Sequence, residues 1–135
     1  MVEDRLLQVA GSKIRGKHSA RLHWLLPDWP WEIDEYREAG IEVRLRSPYG
    51  WITLCMIPGF RHHAESTPPL ASKNSILLPQ IVRAGELRYG SGPIDPTWGW
   101  ASPTYGQKIP ALSFSVMAQD ALPLSLVTEW SFPEI

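Results

Sequence analysis

Thirteen prolines in 135 residues constrain this chain more than any other feature. Proline fixes φ and donates no amide hydrogen bond, so prolines spread along a chain interrupt long helices and leave room for short strands. Between them, apolar residues recur at every second position, the period of a strand with one buried face. Leu22, Trp24 and Leu26 alternate with Arg21 and His23. Ile41, Val43 and Leu45 alternate with Glu42, Arg44 and Arg46. Leu112, Phe114 and Val116 alternate with Ser113, Ser115 and Met117, and Leu124, Leu126 and Thr128 with Ser125, Val127 and Glu129. No amphipathic helix pattern occurs. Short strands joined by turns predict an all-β chain, an antiparallel β-sandwich.

In chain order, a first strand is expected over residues 3–10, then a polar loop or exposed edge over 11–19. A second strand covers 20–27 and is broken by Pro27-Asp28-Trp29-Pro30-Trp31. The acidic stretch 32–38 holds one helical turn at most. Residues 41–59 read as a β-hairpin around Ser47-Pro48-Tyr49-Gly50, with proline early in the turn and glycine late. A polar loop with Pro68-Pro69 fills 61–74, followed by a short apolar piece at 75–80 and a strand over 81–89. Gly90-Ser91-Gly92-Pro93 and Asp95-Pro96 are strong breakers. Strands at 112–117 and 124–130 are expected to form a second hairpin, linked by Gln119-Asp120-Ala121, with Leu122 and Pro123 leading into the return strand.

Length predicts a single domain over residues 1–135. A hydrophobic fraction of 44% against 20% charged excludes general disorder. A formal net charge of −1 gives no bulk attraction for nucleic acid or an anionic membrane. No apolar run approaches a membrane span, and Met1-Val2-Glu3-Asp4-Arg5 is charged at once, unlike a signal peptide. The single cysteine, Cys55, excludes an internal disulfide and reads as a buried, inert thiol.

The residues that stand out for function are aromatic. Trp98 and Trp100 flank a glycine, and Tyr105 follows in a loop bounded by Gly99 and Gly106; Trp29 and Trp31 flank a proline. Sugar rings have apolar C–H faces that stack on exposed aromatic rings, so these five are candidate carbohydrate contacts; capping an apolar core is the plainer role for such rings. Arg44 and Arg46 share a strand face and are candidates for carboxylate or sulfate, against an ordinary role as solvated strand charges. His62 and His63 read as solvated loop residues, and His23 as a surface or interface residue. No metal-ligand spacing is present, so neither metal nor cofactor is expected.

The segments Arg21-Leu22-His23-Trp24-Leu25-Leu26-Pro27, Ser47-Pro48-Tyr49-Gly50-Trp51 and above all Gly99-Trp100-Ala101-Ser102-Pro103-Thr104-Tyr105-Gly106-Gln107-Lys108-Ile109-Pro110-Ala111 resemble the C-terminal region of heparinase II/III-like proteins. That resemblance covers nearly the whole chain. It implies the β-sandwich that follows a helical toroid in polysaccharide lyases, which cleave uronic-acid polysaccharides by β-elimination. Such chemistry needs a neutralised carboxylate, a base for the C5 proton and an acid for the leaving oxygen. The family supplies these mainly from the toroid, with a histidine near the start of the β-region, and no residue here matches that set. The expectation is a domain of a larger protein, inactive alone, whose partners are the toroid and an acidic polysaccharide. An upstream export signal would place such a protein in the periplasm or outside the cell. Two alternatives remain: a stand-alone carbohydrate-binding module, and a structural module that forms homo-oligomers through its strand edges or through the surface that the toroid would cover.

Overall fold

The computed structural model describes residues 1–7, 11, 16–36, 40–58, 76–121 and 124–134. Its fold class is the expected one, all-β and antiparallel, with no helix among the described residues. The strands are β1 (Val2–Leu6), β2 (Lys17–Leu26), β3 (Trp31–Tyr36), β4 (Gly40–Ser47), β5 (Gly50–Pro58), β6 (Ile76–Arg83), β7 (Glu86–Tyr89), β8 (Trp100–Ala101), β9 (Ile109–Pro110), β10 (Leu112–Ala121) and β11 (Leu124–Ser131). They form a five-stranded sheet in the order β1-β11-β5-β4-β3, a four-stranded sheet in the order β2-β10-β6-β7, and the ribbon β8-β9. The chain divides into two compact units: Met1–Ala20, Trp29–Ile76 and Gln119–Ile135 make the first, and Arg21–Asp28 with Leu77–Ala118 the second.

The first unit carries the five-stranded sheet. The expected hairpin is there: β4 and β5 pair from Ser47↔Gly50 to Ile41↔Met56. The Ser47 hydroxyl accepts from the Tyr49 amide and donates to the Gly50 carbonyl, which fixes the turn from within. Ile41, Val43, Leu45, Leu54 and Met56 are all buried, as the alternation required. The stretch 32–38 is expected to hold one helical turn at most, but β3 covers its described part, residues 32–36. Glu32 lies opposite Arg44 and Ile33 opposite Val43. An edge strand tolerates acidic residues when a cross-strand cation neutralises them, and Arg44 does so here.

The second unit carries β6, β7 and the inner parts of β2 and β10. The expected single strand over 81–89 is two strands, β6 and β7, folded back on each other at Ala84-Gly85. Both residues have positive φ, 49° and 76°, which matches the twist of a tight two-residue hairpin. The core here is Leu26, Ile81, Val82, Leu112, Phe114 and Val116.

The expected second hairpin does not form. β10 belongs to the four-stranded sheet, while β11 pairs with β5 and β1 in the other. The link between them carries neither glycine nor asparagine, the residues that suit a short hairpin loop. The expected loop at 61–74, with His62 and His63, lies outside the described residues.

Candidate functional site

The segment from Asp95 to Gly99 is irregular in sequence but held at several points. The Asp95 carboxylate accepts from the Thr97 amide at 2.8 Å and the Thr97 hydroxyl at 2.7 Å. The Thr97 amide, then the Thr97 hydroxyl, keeps the Asp95 carboxyl below its usual range. The Gly99 carbonyl accepts from the amides of Ala84 and Ala111, and the Trp98 carbonyl accepts from Gly85. These bonds tie the loop to the β6-β7 turn and to the residue before β10. Trp98 is thereby fixed in place rather than left to wander on a mobile tip.

Trp98 meets two residues of β2. Its ring lies 4.6 Å from the His23 ring, edge to face, and the Arg21 guanidinium carbon stands 5.2 Å from its centroid. Arg21 Nη1 donates to Gln80 Oε1 at 2.6 Å and to Ser115 Oγ at 3.3 Å, and Nη2 lies 3.8 Å from Met117 Sδ. Gln80 is held in turn, because its Nε2 donates to the carbonyls of Ser91 and Pro93. Ser113 Oγ is 3.4 Å from His23 Nδ1. Arg21 thus reaches Ser115 and Met117 while His23 meets Ser113, so β2 and β10 run antiparallel. Burial, with help from the Arg21 charge, lowers the His23 pKa below its ordinary value. His23 is therefore neutral at pH 7, and Arg21 carries the positive charge of this cluster.

The ribbon follows directly. Trp100 pairs with Pro110 and Ala101 with Ile109. Lys108 Nζ stands 3.9 Å from the centroid of the Trp100 ring, a cation–π contact. Trp100 Nε1 donates to the Pro96 carbonyl, and the tip is braced by Ser102 Oγ and Gln107 N, which both donate to the Thr104 carbonyl. At that tip Tyr105 is fully exposed, with a relative accessibility of 103%.

A second arginine on this sheet is already occupied. Arg83 Nε and Nη2 donate to Asp28 Oδ1 and Oδ2, each at 2.7 Å, a fork-to-fork pair. That pairing holds the Asp28 carboxyl below its usual range.

The seven residues singled out from sequence fall in both units. Trp98, Trp100 and Tyr105 lie in the second. Trp29, Trp31, Arg44 and Arg46 lie in the first. Trp31 is half-buried and stands opposite Leu45, on the buried side of the sheet. Arg44 contacts Glu32 at 2.7 Å, Asp34 at 3.3 Å and Glu42 at 3.7 Å. Three carboxylates more than cancel its charge, so it is a strand-face ion cluster and not an open cation. Arg46 is exposed opposite Trp51. Cys55 is half-buried between Glu42 and Glu129, and burial followed by those two charges pushes its thiol pKa up, away from the reactive thiolate.

Sequence reasoning passed over Arg21, Gln80, Ser113 and Ser115. The one signal was the β10 alternation, which set two serines on the face opposite Phe114; both prove buried, as is Gln80. Buried polar side chains on a sheet face need partners, and here they find Arg21 and His23. Among the described residues no group of three His, Cys, Asp or Glu side chains is arranged to hold a metal, and no helix is long and apolar enough to cross a membrane. No protein-family model, curated protein or solved structure matches this chain.

Proposed function

We propose that this chain is a non-catalytic carbohydrate-binding β-domain whose ligand is an acidic polysaccharide, of the kind that follows the toroid in heparinase II/III-like lyases. The second unit makes the contact. The observation that carries this reading is the ribbon: a wholly exposed Tyr105 at its tip and a Trp100–Lys108 cation–π pair along it, on a loop braced at its base. A tyrosine with no burial contributes nothing to packing, yet its ring offers a flat face for sugar C–H groups. The lysine supplies a charge that a uronate or sulfate group attracts. A braced loop loses little freedom on binding, which favours affinity.

In the lyase architecture, the toroid of the same full-length protein is the second partner, and base and acid for β-elimination come from it. The reading is tested by titrating the chain with a uronic-acid tetrasaccharide and a neutral tetrasaccharide while watching for the unsaturated uronate chromophore. Saturable binding of the acidic sugar alone, with no chromophore, supports it. Equal binding of both, or none, defeats it, and chromophore formation defeats the assignment as non-catalytic.

A further inference from the structure

We propose that the Nε–Nη2 edge of Arg21 is a receiving site for a single carboxylate group, formed on the face of the four-stranded sheet. The guanidinium has five N–H donors and no acceptor. Nη1 is spent on Gln80 Oε1 and Ser115 Oγ. Nη2 has only the Met117 thioether at 3.8 Å, and sulfur of that kind is a weak acceptor. Arg21 forms no ion pair with an Asp or Glu among the described residues.

Arg83, in the same unit, shows what that edge takes when an acid is near. Its Nε and Nη2 hold the two oxygens of Asp28 at equal distances of 2.7 Å. Arg21 offers the same pair of donors, and a carboxylate that docks there makes two parallel bonds. Nearby groups hold the guanidinium ready. Trp98 covers one face, and Gln80, itself tied to two backbone carbonyls, fixes the Nη1 end. Neutral His23 adds no second charge, so one monoanion suffices to balance the cluster. The carboxylate is the acceptor that this fork is seen to take in the same unit, where Asp28 presents both oxygens to Arg83.

The site rests on the proposed function only for the carrier of the carboxylate, a uronic acid; capture of a carboxylate as such stands apart from it. The test is an NMR titration of the full chain at fixed ionic strength, following the Trp98 indole N–H and the Gln80 side-chain amide. The probes are sodium acetate, sodium glucuronate, sodium sulfate and glucose. Acetate and glucuronate should shift both signals saturably, and glucose should shift neither. Arg21→Gln should weaken binding by about tenfold or more, as loss of a bidentate charged pair does. Arg21→Lys, which keeps the charge but not the fork, should weaken it severalfold, and it serves if the glutamine variant does not fold.

Sulfate binding as tightly as acetate overturns the carboxylate assignment. Glucuronate binding unchanged in folded Arg21→Gln, or in Arg21→Lys, overturns the site while leaving the carbohydrate reading intact. Acetate binding that depends on Arg21, with no binding of an acidic tetrasaccharide, supports the site and defeats the carbohydrate reading.

Discussion

The Val82 carbonyl oxygen lies 2.6 Å from the point a Cβ on Gly99 would occupy. The Ala84 nitrogen lies 2.7 Å from the same point, and Gly99 has a φ of +78°. The loop that carries Trp98 and Trp100 therefore presses its backbone directly onto β6. Only glycine permits both the approach and the left-handed conformation.

Gly99→Ala should accordingly cost more than the roughly 1–2 kcal/mol of a left-handed alanine, because backbone atoms must also move. Gly106 provides the control. Its φ is +75°, but nothing lies within 4 Å of its Cβ position. Gly106→Ala should lose only the conformational part. Urea melts of both variants check this, and equal losses would mean that the loop does not rest on β6 as described.

Thr128 offers a substitution in the opposite direction. It is wholly buried, and its hydroxyl has no hydrogen-bond partner among the described residues. A buried hydroxyl without a partner costs free energy that a methyl group does not. Thr128→Val should be neutral or raise stability by up to about 2 kcal/mol. A clear loss in thermal or urea unfolding would show that the hydroxyl is bonded after all.

His23 makes stability depend on pH, and the direction follows from its lowered pKa. Above the ordinary value of 6.5, folded and unfolded chains both hold it neutral and its contribution is complete. As pH falls below that value, the unfolded chain takes up the proton first. Stability then declines until pH passes the folded-state pKa. His23→Gln should flatten that decline below pH 6.5 while leaving the curve above it unchanged in shape. An identical decline in wild type and variant would place the titration on another group.

What the sequence disclosed follows the range of the interactions. The β4-β5 hairpin was legible because its alternation and its Ser-Pro-Tyr-Gly turn are local. The strand β3 was hidden: Glu32 and Asp34 read as helical or loop residues until Arg44, on the next strand, stands beside them. The β10-β11 pairing failed because each strand's true neighbour is distant in sequence. Likewise, the aromatic loop was visible as a stretch, but the cluster beneath Trp98 was not. Arg21 lies 59 residues from Gln80 and 94 from Ser115, a separation that no spacing rule spans. Arg44 looked equivalent to any strand arginine, and only the three-dimensional positions of its carboxylates distinguish it from Arg21.

In the proposed function the second unit grips acidic sugar through its exposed ribbon. The most direct test of that grip is a calorimetric titration of wild type and Tyr105→Ala with a uronic-acid tetrasaccharide. Tyr105 touches no core, so the variant should unfold at the wild-type temperature. Its affinity should fall about tenfold, the scale of one stacking contact of roughly 1.4 kcal/mol. Unchanged affinity in the variant, or no heat of binding in the wild type, would contradict the account.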